Sequence, residues 1–126
     1  MDAIREVLDA YNIAYKDILK PGLFNNSDLQ SLYDSLKTNG EAGLIEALMS
    51  GATVEDVDID DLTKAISRSD NIDINKTYEF LTCGSRNHMR AFSGQIDSRG
   101  ASYSPKFISR DLYKTILTAP HERCGL

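Results

Sequence analysis

No stretch of the 126 residues approaches the run of about 18 apolar side chains that a membrane-crossing helix needs, so no span is expected. Positive charge is also in short supply. Fourteen Lys and Arg stand against nineteen Asp and Glu, a formal net charge of −5. Phosphate contacts need a basic face, which argues against a general nucleic-acid binder. Cysteine is scarce: Cys83 and Cys124 lie far apart and make a weak disulfide framework, so reduced thiols in a cytoplasmic setting are the simpler expectation. The opening Met1-Asp2-Ala3-Ile4-Arg5 lacks the basic-then-apolar layout of a secretory signal. Phosphate-cradling glycine loops, HExxH and CxxC are all missing.

What is present fits one folded domain over residues 1–126, with 41% apolar and 26% charged residues. The periodicity is helical and the expected class is all-α. Residues 1–12 carry Ile4, Leu8 and Tyr11 at helical spacing. Pro21-Gly22 breaks the connector that follows. Ser27-Asp28-Leu29-Gln30 has the form of a capping box opening a short helix that ends near Asn39-Gly40. The longest pattern runs from Glu41 to about Arg68, with a stripe of Ile45, Leu48, Ala52, position 55, Ile59, Leu62 and Ile66. Gly51 inside it marks a kink or a close helix contact. Asn71 caps the next helix, to about Gln95, whose stripe is Ile74, Tyr78, Leu81, positions 85 and 88, and Phe92. Residues 97–126 form a looser tail with one short helix starting near Ser109.

Two polar residues interrupt the long stripes, Glu55 on one helix and His88 on the next. Helices joined by so short a turn pack antiparallel. Counted from that turn, Glu55 lies about 15 residues up one helix and His88 about 18 down the other, heights only about 4–5 Å apart. A buried carboxylate and imidazole are costly without partners, and a divalent metal, a shared proton or a hydrogen bond would each serve. Asp58, one turn after Glu55, is a further candidate ligand or acceptor. A structural core pair explains the same residues, and both readings stand at this point. No residue is assigned a catalytic role.

Other motifs are weaker. Asp56-Val57-Asp58-Ile59-Asp60 starts like a calcium loop, but Asp61 and Ser67 occupy the glycine and closing-glutamate positions. His121 and Cys124 have ligand spacing by chance, near an end expected to fray. Cys83 falls off the stripe and lacks a histidine nearby in sequence. Asn25-Asn26-Ser27 and Asn75-Lys76-Thr77 match the glycosylation sequon without a secretory context. Arg86 and Arg90, four apart, are expected to pair with acidic residues such as Asp56 or Asp60, with a surface for an anionic partner as the alternative.

Gly84-Ser85-Arg86-Asn87-His88-Met89-Arg90-Ala91-Phe92, Gly51 to Ile59, Leu29-Gln30-Ser31-Leu32-Tyr33 and the later Tyr103-Ser104-Pro105 resemble, in order, a ferritin-like family catalogued as domain of unknown function 2202. The resemblance implies a ferritin-like helical bundle with two long antiparallel helices. It also implies a metal role for Glu55 and His88, with iron or manganese as the cofactor. Such bundles usually carry a glutamate three residues before the histidine, where this chain has Ser85. Members also carry a helix and a half ahead of the position matching Met1. The expectation is therefore either a fragment or misassigned start of a longer chain, or a core completed by a second copy, as a dimer.

Overall fold

The computed structural model describes residues 2–16 and 20–125. Met1, at the start of the first expected helix, and residues 17–19 of the expected connector lie outside the described residues. The described residues form five helices and no strand: α1 (Asp2–Ala10), α2 (Ser27–Gly40), α3 (Leu44–Arg68), α4 (Ile72–Asp97) and α5 (Arg110–Thr118).

The helix ends follow from capping chemistry. Asn71 caps α4 as expected, its side chain accepting from the backbone N–H groups of Asp73 and Ile74. Ser109 caps α5 in the same way, accepting from Leu112. At α2 the expected box is corrected. Asn26, not Ser27, is the cap, accepting from Asp28 and Leu29. Gln30 reaches past the helix end, accepting from the Phe24 N–H at 2.9 Å and donating to the Gly22 carbonyl at 3.1 Å. Gly22 holds a left-handed φ of +82° beneath the Tyr33 ring, where a Cβ would sit 2.6 Å from the phenol oxygen.

Helices α3 and α4 make the body of the molecule, antiparallel across the turn Ser69-Asp70-Asn71. Their seam buries Ala52, Ile59, Met89 and Ile96, and the tail closes it with Tyr103, Ile108 and Ile116. Each large apolar side chain removed from water in this way contributes on the order of 1.5–3 kcal/mol. Gly51 marks a close helix contact: a Cβ there would meet the Phe92 ring at 2.5 Å.

On α3 the buried residues include Ala52, Glu55 and Ile59, as the stripe predicts. On α4 the face is rotated. The fully buried members are Thr77, Thr82, Cys83, Ser85, Met89, Ser93 and Ile96, whereas His88 is exposed. Threonine can face this core because its hydroxyl is satisfied within its own helix. Thr82 donates to the Tyr78 carbonyl at 2.7 Å and Thr77 to that of Asp73 at 3.1 Å.

The tail is ordered by one buried carboxylate. Asp56, with none of its surface exposed, accepts from the Tyr103 hydroxyl at 2.8 Å. It also accepts from the backbone N–H groups of Lys106 at 2.6 Å, Phe107 at 3.2 Å and Ile108 at 2.9 Å. The segment expected to be looser thus supplies three core side chains and wraps its amides around a carboxylate of α3.

Candidate functional site

Glu55 and His88 do meet. Glu55 Oε1 lies 3.1 Å from His88 Nδ1, joining the middles of α3 and α4. Their surroundings differ sharply. The Glu55 side chain is 11% exposed and that of His88 is 65% exposed, which corrects the expectation of a buried imidazole. Burial pushes the Glu55 carboxyl above its ordinary range, and nearby Asp58 pushes the same way. Hydrogen bonds from Ser85 and His88 pull it back without cancelling the shift. Ser85 is buried at the groove beside Glu55.

The pair opens into a groove of about 580 Å³ bordered by Asp58, Asp61 and Ser85, with Leu62, Phe80 and Leu81 as its apolar wall. Asp58 is exposed at this groove, one turn from Glu55. Partial burial raises its carboxyl first, and the charge of Asp61 adds to that. A groove holding carboxylates reluctant to ionise, next to one imidazole, suits a cation that would neutralise them. The donors are the nitrogen and oxygen types that iron, manganese and zinc accept. Among the described residues, no group of three His, Cys, Asp or Glu converges closely enough to hold an ion unaided.

Arg86 and Arg90 do not pair with Asp56 or Asp60. Asp56 is engaged by the tail, and Asp60 pairs with Lys64. Both arginines instead clasp Glu122: Arg86 Nε donates at 2.9 Å and Arg90 Nη2 at 2.7 Å. Asn87 completes the clasp, donating to the Glu122 carbonyl and accepting from its N–H, both at 3.0 Å. The signal missed in the sequence was the spacing of three polar residues, Arg86, Asn87 and Arg90, on one turn. A lone Glu122 far down the chain gave no hint of its role.

The cysteines are also corrected. Cys83 and Cys124 form a disulfide that ties α4 to the tail, so Cys124 is not free to act with His121 as a thiolate ligand. The Asn75 sequon is a poor acceptor context, since Asn75 lies within α4 and donates to the Ser69 carbonyl.

The clasp makes a pH prediction. Its arginines hold the Glu122 carboxyl down at about 2, from an ordinary 4.5, mainly through the Arg86 hydrogen bonds. A depressed folded value means stability that is present above 4.5 and lost as the pH falls towards about 2. With the side chain 30% exposed, solvent screening leaves on the order of 1 kcal/mol or less. Glu55 and Asp58 have raised values and run the other way, losing stability as pH rises through their folded values. The difference between wild type and Glu122→Gln in urea midpoints isolates the effect. It should shrink over that acid window, and a difference independent of pH would refute the assignment.

Comparison with known proteins places the chain. A crystal structure of a hypothetical protein, MJ0754, from Methanococcus jannaschii superposes with a TM-score of 0.93 at 41% identity, over 97% of this chain and 70% of that one. The same uncharacterized protein, MJ0754 of Methanocaldococcus jannaschii, is 43% identical over 126 residues, spanning 98% of this chain and 67% of the relative. The model of an uncharacterized protein domain, DUF2202, matches residues 1–120, and the chain belongs to that family.

Proposed function

We propose that this is a metal-binding helical protein of the ferritin-like kind, in which Glu55 and His88, with Asp58 one turn away, supply one wall of a divalent-metal site. The observation that carries the reading is the unequal burial of the pair. A structural core pair would hide both partners, whereas here the imidazole opens to a groove and only the carboxylate is sequestered. An exposed imidazole can turn a nitrogen to an incoming ion, and the carboxylate behind it gains a counter-charge when the ion binds. Iron or manganese would supply Lewis-acid or redox chemistry once held. This chain's residues bind and orient it, and water or further donors complete the coordination.

The test is titration of chelator-stripped protein with Fe(II) and Mn(II), followed by elemental analysis after gel filtration. Wild type should retain stoichiometric metal. Glu55→Gln and His88→Ala should each weaken binding by at least about 10–100-fold, the range typical even for residues that only support a metal ligand. Wild type that retains no metal, or variants that bind as tightly, would sink the reading.

A second reading has its own observation. Phe24, Leu29, Leu32, Leu36, Val54 and Val57 border an apolar groove of about 590 Å³ between α2 and α3. Such a face suits a helical interaction module, and a second copy of the chain is the occupant we propose. Sedimentation velocity distinguishes the cases: a micromolar monomer removes the dimer without touching the metal site. The cytoplasmic setting remains a proposal, because a disulfide is compatible with an oxidising compartment or with an oxidised state of an intracellular protein.

A further inference from the structure

The C-terminal tail reaches the groove at Cys124, which borders it beside Gly84, Ser85, Glu55 and His88. Two attachments of different chemistry hold the tail there. Glu122 is fixed by Arg86, Asn87 and Arg90 through both its carboxylate and its backbone. Two residues further on, Cys124 is joined to Cys83.

We propose that the Cys83–Cys124 disulfide is a redox-sensitive latch that fixes the tip of the tail, through Cys124, at the edge of the Glu55–His88 groove, with the Glu122 clasp as its hinge. The two sulfurs are unequally placed. Cys83 is 8% exposed within α4, whereas Cys124 lies partly exposed on a non-helical segment at the groove edge. An incoming low-molecular-weight thiolate therefore reaches Cys124 Sγ more readily. Attack there forms a mixed disulfide and releases Cys83 as the leaving thiolate, which takes up a proton. A second thiol then attacks the small-molecule sulfur of that mixed disulfide, releasing Cys124 as a thiol and leaving a small-molecule disulfide. Two electrons and two protons pass from the two thiols to the protein. Asn87 Nδ2, 3.4 Å from Cys124 Sγ, is placed to stabilise charge on that sulfur.

After reduction the tip is free to leave the groove, but the clasp keeps Cys124 near Cys83. The latch can then close again on the same partner when the surroundings become oxidising. It rests on the geometry of the groove and not on what the groove binds.

The experiment uses the full chain, oxidised and then reduced with dithiothreitol, without metal. Carbodiimide with glycine ethyl ester reports the accessibility of Glu55, mapped by peptide mass spectrometry. Circular dichroism reports the helices. Reduction should raise Glu55 labelling at least about fivefold while the helices persist, as expected for local opening. Cys124→Ser should show the raised labelling without reductant and no further response to it. Reoxidation by a small-molecule disulfide should restore slow labelling in wild type, and Glu122→Gln should reoxidise several-fold more slowly. Unchanged Glu55 labelling in reduced wild type would overturn the latch. Global loss of helix on reduction would also overturn it, because the bond would then be simply structural.

Discussion

Replacing Asp56 with alanine is expected to cost about 3–5 kcal/mol, the range found when one side of a buried charged network is deleted. No other side chain in the described residues ties so many donors to one point. Its carboxylate accepts from one phenol and three consecutive backbone amides, and water does not reach it. Deletion would strand those donors in the interior, each at about 1–3 kcal/mol if it found no other partner. Tyr103 is held far above its ordinary pKa by burial, partly offset by a hydrogen bond with Thr53, with Asp56 adding to the rise. It therefore remains a donor at neutral pH. Asparagine keeps the shape but presents one NH₂ to groups that all donate, so Asp56→Asn should recover little. Urea unfolding measures both variants. A loss below about 1 kcal/mol for Asp56→Ala would show that the tail finds other acceptors.

Neighbouring residues on α4 should give opposite results. Met89→Ala is expected to lose about 2–5 kcal/mol, because the methionine is fully buried in the seam and its removal leaves a cavity among Ala52, Ile59 and the tail. His88→Ala, one position earlier, should lose no more than about 1.5 kcal/mol, the scale of its hydrogen bond to Glu55. A pair of unfolding curves decides the matter. If His88→Ala proved the more damaging, the face of α4 described above would be wrong.

That contrast also shows what periodicity could and could not read. On α3, the spacing of Ala52, Glu55 and Ile59 located the buried face directly, because large or small apolar side chains occupy it. On α4, Ile74, Tyr78 and Leu81 drew the stripe towards themselves, although they are only partly buried and border pockets. The true seam is built from Thr82, Ser85, Met89, Ser93 and Ile96. Small hydroxyl side chains look polar in a sequence, yet threonine can return its bond to its own helix, and Ser93 is 2.9 Å from the Tyr113 hydroxyl.

The candidate site was legible for a related reason. Glu55 and His88 were found by their height on adjacent helices, and height tolerates an error of one position in the face. Their unequal exposure could not be found that way. Asp56, Glu122 and the disulfide were invisible because each joins a long helix to the tail, whose irregular path no helical register fixes. No local pattern encodes a partnership of that kind.

The bond between Cys83 and Cys124 also changes what a break in the main chain would do. Arg99 and Gly100 stand exposed just beyond α4, and Arg99 is tied only to its own turn. A trypsin cut there would place Cys83 in one piece and Cys124 in the other. The nicked molecule would still travel as a single species on a denaturing gel without reductant, and would part in two only when the sulfurs were separated. Backbone continuity and covalent continuity are thus different properties in this chain.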